Sequence, residues 1–402
     1  MEKAKLVMVG GGMVAGYAAK QLVELGLTAG DLTILSADTE VPYERPPLSK
    51  SFLAGKDTRE SIRVNPSEFY RERGIDIRLG CEIESVDATG KRLRMKGGGD
   101  LGFEKLVIAT GARVRTLHVP GGDLHGIHYL RSLDDSRRIR EHAEKAKRAA
   151  VVGGGFIGME VAAVLAQKGI DTTMILDTGR IWERLFTPEM SHFFENYYSA
   201  RGVKFERHAA IESFGGDGAV NSVRLGGGQT VSADLVLAGI GVEPVTDFLG
   251  SSGLEISNGV VVNEYLETNR PDIYAAGDVA NYYDLLFEKR RRVEHWDNAV
   301  SQGQHCARLL LGDRQPFRHV PYFFSDVFDL SYEFWGDTSG ADQAVTRGDI
   351  ASNSFSVWWV RGQNLIAAFV MNRPDEERTA APQWIESKRP VTAGELRSGS
   401  LR

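Results

Sequence analysis

The sequence predicts an α/β fold in which one unit, made of a strand, a glycine turn, a helix and a second strand, occurs twice. The first copy reads LVMVGGGMVAGYAAKQLVELG followed by LTILSAD, and the second reads AAVVGGGFIGMEVAAVLAQKGIDTTMILD. In both copies an apolar, β-branched run leads through glycines into an Ala-rich helical segment. The chain has 402 residues, 42% hydrophobic and 25% charged, which is too long for one ordinary core and suggests two or three domains.

The first glycine turn carries Gly10, Gly12 and Ala15 in a G-x-G-x-x-A spacing. Glycine in such a turn admits the backbone to a pyrophosphate, and Ala in the third place still lets helix and strand approach closely. The start of the following helix supplies free N–H groups and a partial positive charge. One match alone is equally compatible with a glycine-rich turn that binds nothing.

The second unit repeats the glycine pattern from Gly153 to Gly158 and ends in Asp177. Two complete units indicate two dinucleotides. An acidic residue at the end of the second strand suits the free ribose 2′-hydroxyl of NADH and repels the 2′-phosphate of NADPH, so we expect NADH. Arg180 and Arg184 lie just downstream and keep NADPH open as the less favoured alternative.

Three later segments each contain a predicted strand that ends at a glycine turn. KLVIATGARVR is predicted to be a strand that ends at Thr110 and Gly111, and ADLVLAGIGVEPVT a strand that ends at Gly241. We interpret both as segments in which the chain passes from one domain to another. DIYAAGDVANY is a short strand that delivers Asp278 to a turn at Gly277, where a helix is predicted to start. A carboxylate there is either a plain N-cap or an acceptor for the ribityl hydroxyls of a flavin, and the two glycine units favour the flavin.

The stretch PYERPPLSK, from Pro42 to Lys50, is predicted to be a stiff loop. Two adjacent prolines fix φ twice and remove two backbone donors, which excludes a helix interior or a central strand. Such a loop holds Arg45 and Lys50 at set places. A fixed cation near a flavin stabilises the negative charge of the reduced ring in a site of low dielectric, whereas the alternative is a surface lysine on a turn.

Composition narrows the class of protein. No apolar run reaches the roughly 20 residues of a membrane helix, and a strand follows Met1 almost at once, so we expect no targeting peptide, no membrane and a cytoplasmic location. The net charge of −6 gives no reason to expect nucleic acid as a partner. Cys81 and Cys306 form no CxxC, which excludes the flavoproteins that need two thiols beside the flavin, so electrons must leave the flavin directly.

Six motifs together, in the order GGG-x-x-A, PYERPPLSK, ATGA, GGGFIGxE, GxGVEP and AGDV, resemble a known family. It comprises the FAD-dependent NAD(P)H reductases of the ferredoxin, putidaredoxin and rubredoxin reductase type, with monodehydroascorbate reductase and apoptosis-inducing factor among their relatives. The resemblance covers nearly the whole chain. It implies a glutathione-reductase-like fold with two Rossmann-like domains and a C-terminal α+β interface domain: a FAD domain at 1–114 and 238–313, an NADH domain at 115–237 and a C-terminal domain at 314–402.

The same resemblance implies roles in the proline loop and the second helix. Arg45 is expected to contact FAD, and Lys50 to lie beside the flavin ring. Glu160 is expected to pair with Lys50, which would orient the ammonium and keep both groups ionised. Its place near a helix start is also favoured by the helix dipole for purely structural reasons.

Further roles follow from the C-terminal third of the chain. His295 and Trp296, at a helix start, are expected on the pyrimidine side of the flavin, with no proton-transfer role for His295. Phe324 is expected to cover the ring or the nicotinamide, although an aromatic in an alternating strand is equally often core. The sequence departs from relatives at Ala37, where an acid is common, and Asp38 is the substitute candidate for the adenosine ribose.

The predicted site residues fall into a catalytic pair and a larger cofactor-binding group. The catalytic pair is Lys50 and Glu160, and the cofactor-binding residues are Gly10, Gly12, Ala15, Asp38, Arg45, Lys50, Thr110, Gly111, Arg113, Gly153, Gly155, Ile157, Gly158, Glu160, Asp177, Gly241, Gly277, Asp278, His295, Trp296 and Phe324.

We therefore expect a FAD-dependent oxidoreductase, monomeric or homodimeric, that takes hydride from NADH and passes electrons singly to a ferredoxin-type iron–sulfur protein, such as one serving an oxygenase. Two alternatives stay open: a monodehydroascorbate-reductase-like enzyme that reduces a small organic radical, and an NADH-responsive redox sensor resembling apoptosis-inducing factor. The basic run from Lys289 to Arg292, just before Trp296, either steers an acidic ferredoxin toward the flavin or is a solvated face.

Overall fold

The structure is a computed structural model that describes residues 2–398. The first three elements are a strand, a helix and a strand, as the first glycine unit predicts. The elements up to residue 114 are β1 (Glu2–Val9), α1 (Met13–Glu24), β2 (Leu32–Leu35), α2 (Ser67–Glu72), β3 (Asp76–Arg78), β4 (Ile83–Asp87), β5 (Arg92–Met95), β6 (Asp100–Ile108) and β7 (Ala112–Val114).

The middle of the chain contains the second glycine unit and a series of short strands. Its elements are β8 (Ile127–His128), α3 (Leu133–Ala143), β9 (Arg148–Val152), α4 (Phe156–Gln167), β10 (Asp171–Ile175), α5 (Pro188–Ser199), β11 (Lys204–Glu206), β12 (Ile211–Asp217), β13 (Ala219–Leu225), β14 (Thr230–Ser232), β15 (Leu235–Ala238), β16 (Val242–Pro244), β17 (Val260–Val261), β18 (Ile273–Ala275), β19 (Ala280–Asp284), β20 (Lys289–Arg291) and α6 (Trp296–Leu310).

Long antiparallel strands and two helices follow. They are β21 (Tyr322–Val327), β22 (Leu330–Gly336), β23 (Gln343–Asp349), β24 (Ser354–Arg361), β25 (Asn364–Met371), α7 (Asp375–Glu386) and α8 (Ala393–Ser398).

The chain divides into two units. The first unit consists of the stretch ending at Glu44, Arg59–Arg113 and Val242–Pro321, and the second of Arg45–Thr58, Val114–Gly241 and the stretch from Tyr322 onward. The three-domain division given above, with boundaries at 114, 238 and 314, stays a prediction.

The first unit contains a sheet in the order β3-β2-β1-β6-β5-β4, with β18 also paired to β6. The pairs of β1 with β2 and β6, of β2 with β3 and of β6 with β18 are parallel. The last four residues of β1 are buried without alternation, as expected for a parallel strand covered on both faces. Its core also includes residues of α1 and α6.

The second unit contains two sheets of five strands. One has the parallel order β11-β10-β9-β15-β8, and the other has the antiparallel order β21-β22-β25-β24-β23. Helix α4 packs against β9 and β10 and also against β21. Its sequence FIGMEVAAVLAQ is apolar on most sides, so Glu160 is a carboxylate within a buried helix.

Two local expectations were wrong. The segment after Asp278 is not a helix: Gly277–Val279 forms a single 3-10 turn, and the chain continues as β19, paired with β20. The Tyr-rich ANYYD sequence of β19 favours a strand, which is the physical reason. The sequence IDIRLGCEIESV around Cys81 reads as one strand, but Cys81 lies in the turn between β3 and β4.

Candidate functional site

A buried ion pair joins Lys50 and Glu160 within the second unit. Lys50 Nζ lies 3.0 Å from Glu160 Oε1, and the two side chains are 15% and 4% exposed. Two serines also donate to this carboxylate: Ser325 Oγ lies 2.6 Å from Oε1, and Ser49 Oγ donates to Oε2. The structure thus brings together two residues that the resemblance paired, and adds two donors that sequence reasoning missed.

The proline loop positions Lys50 through backbone contacts. Pro46–Ser49 forms a 3-10 turn, and the Lys50 N–H donates to the carbonyl of Pro47. The Leu48 carbonyl accepts from Ser136 Oγ at 2.6 Å, at the start of α3. The Arg45 guanidinium donates to the carbonyl of Arg131, next to the same helix. The loop is therefore fixed in space, as its prolines predict.

Phe324 lies close to this ion pair. Lys50 Nζ is 5.4 Å from the centroid of the Phe324 ring, a cation–π distance. Phe324 is half-buried in β21, while its neighbours Phe323 and Ser325 are buried. It therefore lies at the same place as Lys50 and is not a core residue.

The second glycine turn has the shape of a phosphate cradle. A Cβ on Gly158 would lie 2.1 Å from the Gly153 carbonyl oxygen, so α4 packs too closely there for any side chain. A Cβ on Gly155 would meet no protein atom within 4 Å. Because α4 has no side-chain cap and no acid in its first turn, its free N–H groups fit an anion such as the pyrophosphate of a dinucleotide. Ile157 is 39% exposed beside this open space.

Asp177 and the two downstream arginines occupy different environments. Asp177 is exposed directly after β10, and Arg184 is exposed as well. Arg180 is held in a network: its Nη1 donates to the Phe186 carbonyl at 2.8 Å and to Ser191 Oγ at 2.7 Å. The Arg180 guanidinium is therefore already hydrogen-bonded to Phe186 and Ser191.

The first glycine turn repeats the cradle in the first unit. Gly10 has φ +118°, a conformation that only glycine adopts readily, and a Cβ on it would lie 2.1 Å from the Ala109 carbonyl oxygen. Helix α1 follows Gly12 with no side-chain cap and no acid in its first turn, and Ala15 is fully buried. The residues therefore fit a second pyrophosphate.

The segments around Thr110 and Gly277 contain further predicted residues, all of which lie within the first unit. Thr110 Oγ1 donates to the Val245 carbonyl at 2.8 Å, and the Val245 N–H donates to the Gly111 carbonyl. The Gly277 N–H donates to Gln302 Oε1 at 2.7 Å, which anchors the turn that carries half-buried Asp278.

Three predicted residues have partners within their own unit. Arg113 Nε lies 2.7 Å from Glu243 Oε1, and its guanidinium also pairs with Asp247. Asp38 caps its own turn, because its carboxylate accepts from the Glu40 N–H at 3.1 Å and from a tyrosine hydroxyl. In the second unit, Gly241 has φ +99°, and its carbonyl accepts from the Arg115 N–H at 3.0 Å.

A carboxylate that the sequence did not single out fixes the start of α6. Glu44 Oε1 accepts from the Tyr17 hydroxyl at 2.5 Å, and Glu44 Oε2 accepts from Trp296 Nε1. Glu44 therefore joins α1 to α6 inside the first unit. Burial lowers the pKa of the neighbouring His295 to about 4, which favours the neutral imidazole, and its lack of a proton-transfer role stays a prediction.

We predict that Glu44→Gln destabilises the protein by about 1–3 kcal/mol, since an amide cannot accept from both donors and leaves one of them unsatisfied. Urea denaturation measures this change. Glu40→Gln is the matched control in the same segment, because half-buried Glu40 forms an ion pair with the exposed Arg59 and its loss should cost less than about 1 kcal/mol. Equal midpoints for the two variants would show that Glu44 does not hold α6.

The basic run before Trp296 combines the exposed Arg290 with two arginines that are largely shielded from solvent. Arg290 Nη1 donates to the carbonyls of Val262 and Asn281, both at 2.6 Å. Arg291 lies 3.4 Å from the buried Asp284 and is 11% exposed, and Arg292 is 10% exposed. Because Arg291 and Arg292 are paired inside the first unit, they contribute little exposed charge, and a steering role for the run stays a prediction.

The two cysteines form no redox pair. Cys306 is buried in α6, where burial raises its pKa to about 12, and Cys81 is a separate free thiol whose pKa burial also raises. Within residues 2–398, no helix combines the length and apolar character needed to cross a membrane. No group of three or more metal-ligating side chains occurs in that same range.

Comparison with known proteins defines the class. The family model of pyridine nucleotide-disulphide oxidoreductases matches residues 4–303, and the reductase C-terminal model matches residues 322–401. The chain belongs to the pyridine nucleotide-disulphide oxidoreductase family, and the predicted fold class is confirmed. It is a flavoprotein oxidoreductase that uses FAD and a pyridine nucleotide.

Relatives of two kinds are similar to it over nearly their whole length. A monodehydroascorbate reductase of Cucumis sativus is 34% identical and covers 98% of this chain and 96% of its own. The 5,5'-dehydrodivanillate O-demethylase ferredoxin reductase subunit of a Sphingobium strain is 36% identical over 91% of this chain and 90% of its own. The covalent putidaredoxin reductase-putidaredoxin complex matches with a TM-score of 0.94 and 31% identity, covering 99% of this chain and 96% of the other.

Proposed function

We propose that this protein takes hydride from NADH onto FAD and passes electrons singly to a ferredoxin-type iron–sulfur protein. The observation that carries the proposal is the nearly complete match, with a TM-score of 0.94, to a reductase solved in covalent complex with its partner putidaredoxin. The lack of a thiol pair supports direct transfer from the flavin to an external acceptor.

In this proposal the chain supplies position and charge, and FAD supplies the redox chemistry when bound. The uncapped starts of α1 and α4 hold the two pyrophosphates. Lys50 presents a fixed ammonium that stabilises negative charge, and Glu160 orients that ammonium. Phe324 shields the Lys50 ammonium on one side and lowers the local dielectric.

We further propose NADH as the reductant. Exposed Asp177 can accept a ribose hydroxyl and would repel a 2′-phosphate, while Arg180 is committed to Phe186 and Ser191. We expect a higher second-order rate constant for flavin reduction with NADH than with NADPH.

Asp177→Asn should lower the ratio of the flavin-reduction rate constant with NADH to that with NADPH about tenfold, since a contact with a charged group contributes roughly 1.5–3 kcal/mol. Stopped-flow reduction with each nucleotide measures the ratio. Asp171→Asn is the matched control at the other end of β10, where Asp171 pairs with Lys204 at 2.7 Å and should leave the ratio unchanged. A wild-type preference for NADPH would overturn the assignment.

The second candidate is a monodehydroascorbate-reductase-like activity, favoured by the 34% identity to the Cucumis sativus enzyme over 98% of this chain. Steady-state turnover with NADH and three acceptors separates the functions: a [2Fe–2S] ferredoxin, monodehydroascorbate radical and ferricyanide. The proposal predicts the highest kcat/KM with the ferredoxin. Fast turnover with the radical alone would favour the second candidate, and slow oxidation by all three would indicate a redox sensor.

A further inference from the structure

The carboxylate of Glu160 is held by donors from two separate segments. Oε1 accepts from Lys50 Nζ at 3.0 Å and from Ser325 Oγ at 2.6 Å, while Oε2 accepts from Ser49 Oγ. Ser49 is 1% exposed and Ser325 is fully buried. Because water has almost no access, these protein donors replace the hydration that an ionised carboxylate requires.

Ser325 differs from the other two donors in its origin. Ser49 and Lys50 are neighbours in the proline loop, so they move together. Ser325 lies on β21, where its register opposite Tyr332 of β22 is fixed by the antiparallel sheet. The hydroxyl therefore reaches Glu160 from a separate rigid element, which fixes the rotation of the carboxylate about its last bond.

Ser325 and Phe324 are consecutive on this edge strand, and both reach the ion pair. Phe324 faces Lys50 Nζ at 5.4 Å, while Ser325 donates to the oxygen that also binds Lys50. The strand thus sets the position of the ammonium in two ways, directly through the ring and indirectly through the carboxylate. Loss of the hydroxyl would free Oε1 to rotate and to carry Lys50 with it.

We propose that Ser325 is a positioning residue that sets the reduction potential of the bound flavin through Glu160 and Lys50. The inference rests on the proposed function, because it requires Lys50 to act on the flavin. A well-placed cation favours the reduced flavin, so a displaced one makes the potential more negative. The loss of one hydrogen bond to a charged group should change the equilibrium constant for two-electron reduction of the flavin about tenfold. This change corresponds to a shift of about 30 mV in the flavin potential.

The test compares Ser325→Ala with a serine that makes the same kind of bond elsewhere. Ser356 is also fully buried and donates to Glu377, a carboxylate that is 2% exposed and lies on α7. Both variants should lose similar stability in thermal unfolding. Spectroelectrochemical titration of the holoprotein should show the shift of about 30 mV for Ser325→Ala only.

Two further comparisons show whether Ser325 acts through Glu160. In a Glu160→Gln background, Ser325→Ala should leave the potential unchanged. Ser325→Thr and Ser325→Val add the same volume, and only the threonine keeps a hydroxyl, so only Thr should retain the wild-type potential. Equal potentials for Ser325→Ala and wild type would overturn the proposal, as would an undiminished shift without Glu160.

Failure of the proposed function would have a different result. In that case the wild-type protein would hold no flavin that NADH reduces, before any serine variant is compared. A flavin that NADH reduces, together with a potential that ignores Ser325, would refute only the positioning role.

Discussion

Lys50→Met should retain FAD and yet reduce it with NADH about 100-fold more slowly than the wild type, since loss of one preorganised charge in a buried site typically costs 10²–10³-fold. Methionine keeps the packing of the long side chain but removes the ammonium 3.0 Å from Glu160 Oε1. Anaerobic stopped-flow mixing with NADH measures the rate. Lys56→Met is the control, because Lys56 is exposed and lies shortly after the proline loop in sequence.

The same substitution leaves the buried Glu160 carboxyl group without its cation partner, which is destabilising by a few kcal/mol in such pairs. The double variant Lys50→Met with Glu160→Gln should therefore recover thermal stability and still reduce slowly. Wild-type reduction kinetics in Lys50→Met would remove Lys50 from the site. Recovery of the rate in the double variant would show that only folding had been affected.

Gly155→Ala should fold normally but bind NAD⁺ at least about tenfold more weakly, because a methyl group would enter the space left for the dinucleotide and overpacking costs roughly 1–3 kcal/mol. Gly155 has φ −85° and ψ −174°, which alanine adopts without strain, and no protein atom lies within 4 Å of the added Cβ. Titration with NAD⁺, followed by the flavin spectrum, measures the affinity.

Two other glycines of the second unit provide comparison variants for Gly155→Ala. Gly226→Ala adds a methyl group with no contact shorter than 3.8 Å and should change neither stability nor affinity. Gly158→Ala forces a Cβ to 2.1 Å from the Gly153 carbonyl oxygen and should lower thermal stability. If Gly155→Ala bound NAD⁺ like the wild type, the open space beside α4 would not be a nucleotide site.

The local features of the fold could be predicted from the sequence because they depend on neighbouring residues. The glycine turns before α1 and α4, the stiff proline loop and helix α6 all follow from periodicity, glycine spacing and proline geometry. The predicted helix after Asp278 was wrong because the Tyr-rich segment favours a strand, and this strand pairs with both β17 and β20.

The contacts that complete the candidate site join distant residues. Lys50 and Glu160 are 110 positions apart, and only the family resemblance paired them. Ser325 is 165 positions from Glu160, and Trp296 is 252 positions from Glu44, so no local pattern reveals either contact. Asp284, the buried partner of Arg291 in the basic run, is recognised only once β19 and β20 pair, so the sequence alone did not reveal this contact.

The most direct test of the central claim is anaerobic titration of the purified protein with NADH while the visible flavin absorption is recorded. The account predicts a yellow protein that releases FAD on denaturation and whose flavin band is bleached fully by one equivalent of NADH per FAD. A colourless protein that cannot be reconstituted with FAD, or a flavin band that NADH leaves unchanged, would contradict it.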